Sequence, residues 1–163
     1  MDESASNPYK APEAAVSEAA GEKLSDVYDR FTAWAVFGLG VITLGIYYIY
    51  WMYTRTRRLN PHIEEPISDA FIYTTLVLYF GGLLNYIAPA LGLPPAVVGL
   101  IGVASMVGGI MSVVWAFKLR NRIHTYLGSS KGSVENNWFN AFWVFFLNAW
   151  YLQYKMNKII DSE

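Results

Sequence analysis

The sequence predicts an all-α, polytopic membrane protein whose four transmembrane helices form two hairpins. Three windows of the 163-residue chain contain no Asp, Glu, Lys or Arg, namely residues 31–54, 70–117 and 136–154. About 20 apolar residues in a helix cross a hydrocarbon core of roughly 30 Å, so each window can reach across a membrane. The composition agrees, because 54% of the residues are hydrophobic and 17% are aromatic, more than soluble domains usually contain.

The three windows divide into four predicted spans. As one straight helix the middle window would be about 72 Å long, more than twice the hydrocarbon thickness, so it must fold back. Gly92-Leu93-Pro94-Pro95 breaks the helix near its middle, because glycine and proline both disfavour a helix interior. The spans are expected at residues 31–53, 70–91, 95–117 and 138–154, within one transmembrane domain over residues 25–160.

Residues 1–24 are predicted to form a disordered, acidic N-terminal tail. Residues 1–30 carry seven acidic and three basic side chains and few large aliphatic ones, too few to bury the surface that would order them. They lack the apolar core of a secretory signal peptide, so the first window is expected to remain as a signal anchor. The chain has no cysteine, which excludes disulfides, and it has no long basic surface for nucleic acid.

Basic residues follow the first and third predicted spans and predict the orientation. Cytoplasmic loops carry an excess of Lys and Arg, so the loops at residues 55–69 and 118–136 are expected on the cytoplasmic side of a bacterial inner membrane, with both termini outside. Aromatic rings with polar tips settle at the headgroup level, where the cations meet anionic headgroups. The expected interfacial anchors are Tyr47, Tyr48, Tyr50, Trp51, Arg55, Arg57, Arg58, Trp115, Lys118, Arg120, Arg122 and Lys155.

Small residues predict a close helix contact in the third span. Ala104, Gly108 and Ser112 recur at every fourth position, and small side chains let two helix backbones approach in lipid. The contact lies either within the chain or between two copies of it. Gly45 in the first span is either a packing position or part of a kink or re-entrant break at Thr43–Gly45. The predicted packing residues are Gly45, Gly102, Ala104, Ser105, Gly108, Gly109 and Ser112.

A weak internal repeat supports the two-hairpin arrangement. An offset of 64 residues places Gly45 on Gly109 and Trp51 on Trp115. The same offset relates the second span to the fourth, and two parallel hairpins would then pack side by side. The alternative is that two unrelated helices share an aromatic and basic end.

The segment Thr43-Leu44-Gly45-Ile46-Tyr47-Tyr48-Ile49-Tyr50-Trp51, followed by arginines and Leu59-Asn60, resembles the signature of a bacterial membrane family catalogued as a domain of unknown function, number 4234. The resemblance covers residues 31–60, and residues 150–157 resemble the way in which longer members end. It implies a bacterial multi-pass membrane protein and no particular activity.

Polar side chains that could carry chemistry are few in this sequence. Coupled transporters keep ionisable groups within the bilayer, and the predicted spans contain none. Asn85, Asn148 and Gln153 are expected to bond neighbouring helices rather than to line a pathway. His62 and His124 are expected to be solvated loop residues, because they lack the spacing of metal ligands.

We therefore expect an integral inner-membrane protein that has no enzymatic activity, cofactor or metal, and that acts as an interaction or accessory component. Its expected partners are the lipid bilayer, anionic lipid headgroups at the basic loops, and either another copy of the chain or a different membrane protein. The alternative is a small oligomeric transporter or channel for neutral or amphipathic molecules.

Overall fold

The computed structural model describes residues 23–129 and 138–163, and over these residues the chain is all-helical. Its elements are α1 (Leu24–Val27), α2 (Ala33–Ile42), α3 (Ile46–Leu59), a 3-10 turn (Asn60–His62), α4 (Asp69–Ile87), α5 (Pro95–Tyr126) and α6 (Ala141–Ile160). The predicted all-α class is confirmed for this part of the chain. The predicted disordered tail, apart from its last two residues, and residues 130–136 of the second basic loop lie outside the described residues.

Two of the helices, α4 and α5, are long and apolar enough to cross a membrane. The Ser68 hydroxyl caps α4 by accepting a hydrogen bond from the Phe71 N–H. Pro95 begins α5, at a position where the backbone donor that proline lacks is not needed. A turn containing Gly92, with a φ of 67°, joins the two helices into a hairpin.

The second basic segment continues α5 instead of forming a loop from residue 118 onward. α5 ends only at Tyr126, so Lys118, Arg120 and Arg122 stand on a helical extension beyond the apolar segment 95–117. Buried Leu119 and Ile123 hold this extension against the rest of the molecule.

The first apolar window does not form one helix. It contains α2, of 10 residues, and α3, of 14 residues, separated by Thr43, Leu44 and Gly45. Leu44 and Gly45 have positive φ angles of 51° and 89°, so the backbone reverses through two left-handed residues. The Gly45 N–H donates to the Gly40 carbonyl at 2.7 Å and closes the end of α2. Of the two interpretations of Gly45, the structure shows the break.

α2 and α3 pack together as a helical unit that we call the first hairpin (residues 33–59). The Thr43 hydroxyl stabilises its turn, because it donates to the Leu39 carbonyl at 2.7 Å and accepts from the Tyr47 N–H at 2.9 Å. The Tyr48 ring lies where a Cβ on Gly40 would be, so α3 approaches the backbone of α2 closely. The ten residues of α2 rise only about 15 Å, so residues 31–53 do not form the single continuous helix that the predicted span requires.

α6 is also broken, at Asn148, whose φ of 40° and ψ of −123° lie outside the helical region. The Asn140 N–H donates to the Tyr151 hydroxyl at 3.0 Å, although eleven residues of straight helix would separate their backbones by about 16 Å. The two halves, residues 141–147 and 149–160, therefore fold back on each other, and we call them the second hairpin. Residues 138–154 therefore do not form one continuous helix.

Both hairpins begin and end on the same side of the molecule. Asp29, before α2, pairs with Arg58 near the end of α3 at 2.9 Å, and Arg30 pairs with Asp161, after α6, at 2.7 Å. We call this side the charged end. The sequence interpretation placed the basic loops and the two ends of the chain on opposite sides, and the structure corrects this for residues 23–30 and 161–163. The reason is that the chain turns back within the first and fourth windows, at Gly45 and at Asn148.

The 64-residue repeat is not reflected in the fold. Gly45 lies in the turn of the first hairpin, whereas Gly109 lies inside the uninterrupted helix α5. The structural likeness is instead between the two hairpins, since each consists of two short helices joined at a residue with positive φ.

The hydrophobic core lies at the charged end. Its largest fully buried side chains include Trp51, Trp115, Tyr28 and Phe139. Between Gly81 and Val107, a stretch that the structure describes completely, Ala88 is the one buried residue. The far half of α4 and α5 is therefore a lone helix pair with an exposed apolar surface, which is typical of contact with lipid or with another protein.

Candidate functional site

A cluster of buried polar side chains joins the two hairpins at the charged end. The Gln153 side-chain oxygen accepts hydrogen bonds from the Trp51 indole N–H at 2.9 Å and from the Arg55 guanidinium at 3.0 Å. Gln153 is fully buried. Because a buried amide, indole and guanidinium each need partners, this arrangement fixes the position of α3 against α6.

Asn157 extends the cluster to the segment before α2. Its amide accepts from the Gln153 amide at 2.8 Å and donates to the Phe31 carbonyl at 2.7 Å. The same Asn157 oxygen accepts from the Phe31 N–H at 3.4 Å. Sequence reasoning overlooked Asn157, although a polar residue one turn after an apolar run is a typical position for such a bond.

Tyr28 closes the cluster from the other side. Its hydroxyl donates to the Arg55 carbonyl at 2.9 Å, and its ring lies 5.2 Å from the Arg55 guanidinium carbon. Burial raises the pKa of the Tyr28 hydroxyl, so the group stays protonated and continues to donate.

A second cluster forms around His124, which is buried on α5 and does not lie in a solvated loop as predicted. The Phe139 N–H donates to the His124 Nε2 at 2.9 Å, and the His124 ring stacks on Trp138 with centroids 4.2 Å apart. Arg120 donates from Nε to the Phe139 carbonyl at 2.7 Å. Burial, reinforced by the positive charges of Arg120 and Lys155, lowers the pKa of His124 from 6.5 to about 4. The imidazole is therefore a structural acceptor at neutral pH.

His62 lies apart from this cluster. Its ring is 6.2 Å from that of Tyr126, beside a hollow that Glu64 and Glu65 also line. Glu65 pairs with Arg122 at 3.0 Å. Within the described ranges, no group of three or more His, Asp or Glu side chains is placed to hold a metal ion.

Four of the predicted interfacial anchors belong to the protein core. Trp51, Trp115, Arg55 and Lys155 are buried, with exposed fractions of 2%, 0%, 7% and 6%. The folded-back hairpins surround them, and the Trp115 indole donates to the Thr56 hydroxyl at 2.9 Å. Tyr50, Arg58 and Lys118 are exposed, and the half-buried anchors are Tyr47, Tyr48, Arg57, Arg120 and Arg122.

The small residues of α5 face α4. A Cβ on Gly108 would lie 2.7 Å from the Leu78 carbonyl carbon, so the two backbones touch there. Ser105 packs in the same way against Gly82, a glycine that the sequence interpretation did not select. Gly109, by contrast, has open space where a Cβ would be.

The remaining predicted packing residues vary in burial. Ser112 is buried, and Gly102 and Ala104 are half-buried. A Cβ on Gly102 would lie 4.0 Å from the Asn85 amide nitrogen, across the contact with α4.

An open aromatic groove of about 920 Å³ runs between the start of α2 and the second hairpin. The Trp34 and Trp150 rings lie 5.6 Å apart within it. Nearby, the Asn148 side-chain oxygen and the Trp150 indole N–H are buried without a hydrogen-bond partner in the described part of the chain.

Asn60 holds the loop between α3 and α4. Its amide donates to the Ile67 carbonyl at 2.9 Å and accepts from the Ile67 N–H at 3.0 Å. From the sequence alone, Asn60 is named only as part of the family resemblance. Asparagine at such a position commonly bonds nearby backbone, and this preference could have identified the contact.

The fold defines an all-helical protein with two candidate membrane spans and two short hairpins gathered at a charged end. A family model described as a domain of unknown function, DUF4234, matches residues 31–125. Since the match covers more than half of the chain, the protein belongs to this family, as its sequence resemblance implied. The match includes the α4–α5 hairpin and ends before residues 150–157. No curated protein and no solved structure matches the chain.

Proposed function

We propose that the protein is a multi-pass component of a bacterial inner membrane that acts without enzymatic chemistry, as an interaction or accessory component. The main support is that the buried polar side chains are already bonded within the protein. The side chains of Gln153, Asn157 and His124 bond neighbouring helices or backbone. Groups committed in this way stabilise the fold and are not free to bind or activate a substrate.

In this proposal α4 and α5 cross the bilayer, while the two hairpins enter it from the charged end. A Cβ on Gly45 would lie 2.5 Å from the Tyr79 hydroxyl, and the ten residues from Asp69 to Tyr79 rise about 15 Å, half of a hydrocarbon core of roughly 30 Å. Ile42 and Leu44, at the turn, are 79% and 84% exposed, which suits side chains that meet lipid. The charged end, with its excess of arginine, would face the cytoplasm.

A partner protein or a second copy of the chain would then contact surfaces of α4 and α5 that do not face each other. Gly108 and Ser105 already pack against α4, so they are not available for a seam between copies. The exposed far half of the α4–α5 hairpin, residues 81–107, is the larger apolar surface that remains. Anionic lipid headgroups are the expected partners of the exposed cations at the charged end.

The experiment is complementation of a deletion strain by a His62→Ala, Glu64→Gln variant. These are the accessible groups best placed for acid–base chemistry, and neither side chain makes a hydrogen bond to another residue that the structure describes. Full complementation at wild-type membrane levels is expected. Loss of complementation at normal levels would contradict the non-enzymatic proposal and point to chemistry at this surface. His124→Ala is unsuitable here, because it removes the acceptor for the Phe139 N–H.

The second candidate, passage of a neutral or amphipathic molecule, is supported by the break in α6. Irregular backbone at membrane depth is tolerated where it lines a cavity. Leu147, next to the break, lines the aromatic groove, and the Asn148 side-chain oxygen is buried without a hydrogen-bond partner among the described residues. Proteoliposomes loaded with a fluorescent amphipath test this function. Flux that depends on Asn148 would favour transport, whereas equal leakage from wild-type, Asn148→Ala and protein-free vesicles would favour the accessory role.

A further inference from the structure

Arg55 differs from the neighbouring arginines in having no carboxylate within ion-pair distance, although Asp29 lies near enough to act on it electrostatically. Arg57, Arg58 and Arg30 pair with Asp69, Asp29 and Asp161, respectively. Among the described residues, Arg55 has no such ion pair; its hydrogen-bond partner is the neutral Gln153 oxygen. Arg55 is only 7% exposed. A buried charge that touches no counter-charge is costly, and a bound anion would reduce that cost.

Arg55 lines a cavity of about 260 Å³. Arg30 and Arg58 form part of its wall, and so does Asp29, whose carboxylate is held by Arg58. Three arginines and one aspartate therefore line the cavity, and the net charge stays positive when Asp161, the partner of Arg30, is included. A water molecule occupies about 30 Å³ in the liquid, so the cavity has room for a phosphate group.

The position of the cavity suits a lipid headgroup. Arg55 lies ten residues along α3 from the turn at Gly45, a rise of about 15 Å, which places the cavity near the membrane surface if the turn reaches mid-depth. Tyr47 and Tyr50 form the wall on the side toward the turn, with ring centroids 5.9 Å apart. Tyr50 is 59% exposed. An acyl chain could lie along these rings while the headgroup meets the guanidinium groups.

We propose that this cavity binds the phosphate of an anionic phospholipid, and that Arg55 donates charge-assisted hydrogen bonds to it. The inference rests on the proposed membrane embedding and adds a ligand class and a site to it. A guanidinium presents several N–H groups in one plane and can bond two phosphate oxygens at once, which lysine cannot do.

The test is a titration of the full-length protein, in a neutral detergent, with phosphatidylglycerol, phosphatidylcholine and inorganic phosphate, read by native mass spectrometry. Phosphatidylglycerol should bind at least about tenfold more tightly than phosphatidylcholine, because it adds a net charge for the guanidinium groups to meet. Arg55→Lys should remove most of this preference. Arg57→Lys is the matched control, because it makes the same charge-conserving substitution at an arginine that pairs with Asp69 and is not among the residues lining the cavity, and it should bind like the wild type.

Three results would overturn the proposal: equal affinity for the two lipids, unchanged lipid preference in Arg55→Lys, or inorganic phosphate binding as tightly as phosphatidylglycerol. The last would assign the cavity to free phosphate. If Arg55→Lys does not fold, Thr54→Met decides, since Thr54 lines the cavity and the substitution fills it without changing a charge. Unchanged phosphatidylglycerol binding by Thr54→Met would contradict the site. Because binding is measured in detergent, the result does not depend on the proposed cellular role, which complementation tests separately.

Discussion

Gln153 is the side chain through which the two hairpins are most directly connected. One oxygen serves both the Trp51 indole and the Arg55 guanidinium, and the amide nitrogen serves Asn157. A buried donor that loses this acceptor is still removed from water when the protein folds, but it no longer forms the hydrogen bond that compensates for the lost hydration.

Gln153→Leu should therefore lower the stability of the protein by about 3 kcal/mol, since it leaves a buried indole and a buried guanidinium unpaired. The measurement is thermal unfolding in detergent. Asn85→Leu is the control, because Asn85 is a half-buried amide of α4 with no hydrogen bond in the described part of the chain. Equal melting temperatures for the two variants would show that the Gln153 cluster does not hold the hairpins together.

The lowered pKa of His124 predicts that the folded protein loses stability in acid. This pKa is about 4 in the folded protein, below the ordinary value of 6.5, so the unfolded chain binds the proton more readily. The stabilisation is fully present above pH 6.5 and is lost as the pH falls toward 4. Unfolding curves across this range should show a decline that His62→Ala retains and His124→Asn lacks. A decline of the same size in His124→Asn would assign the acid sensitivity to other groups.

At the scale of the elements, the first hairpin depends on the contact between Gly40 and Tyr48. A side chain at position 40 would overlap the Tyr48 ring, whereas position 38 has open space where a Cβ would be. Gly40→Leu should separate α2 from α3 and destabilise the protein by about 2 kcal/mol or more, and Gly38→Leu should be tolerated. Detergent melting temperatures compare the two. Equal tolerance would mean that the hairpin is not closed as described.

In the α4–α5 hairpin, the adjacent residues Gly108 and Gly109 provide a second matched pair of test substitutions. Gly108→Leu would force a side chain between two touching backbones, with an expected loss of about 2 kcal/mol, while Gly109→Leu points into open space. Membrane abundance and melting temperature should fall for the first variant alone. The opposite order would place the α4 contact on the other face of α5.

The sequence determines the α4–α5 hairpin well and the other two hairpins poorly, for physical reasons. Gly92 and the adjoining prolines break a run too long to cross once, so length alone requires a turn there. Hydropathy carries no information about backbone direction, and the apolar run through Leu44 gives no sign of reversal. Gly45 and Gly109 have similar apolar surroundings, yet only Gly45 takes a left-handed conformation. The deciding contacts, such as the Tyr48 ring on Gly40, come from the folded hairpin itself.

The hydrogen-bond partners in the polar clusters also could not be predicted from the sequence. Composition identifies Gln153 and His124 as unusual residues in an apolar chain, but it does not indicate their partners. Their bonds to Trp51 and to the Phe139 N–H span 102 and 15 residues, and the first of these exists only because both hairpins return to the charged end. The sequence also predicts that arginines follow the first and third apolar segments, and the structure shows them there. The burial of Arg55, however, results from tertiary packing.

For the molecule as a whole, the arrangement is strongly asymmetric along the α4–α5 axis. The half at the charged end contains both hairpins, the buried polar clusters and nearly all of the core, whereas the far half contains two helices. The same arrangement places the described ends of the chain and the basic segments together. The earlier expectation of four crossings would instead have put them on opposite sides.

Single-cysteine labelling tests this arrangement most directly, because the chain contains no cysteine of its own. Ser25→Cys, Glu64→Cys and Ser162→Cys should react with a membrane-impermeant maleimide from one side of the membrane, and Leu93→Cys from the other. Leu44→Cys, at the turn of the first hairpin, should react from neither side until detergent is added. Labelling of Ser25→Cys and Glu64→Cys from opposite sides would show that the first apolar window crosses the membrane, and would contradict the two-hairpin structure described above.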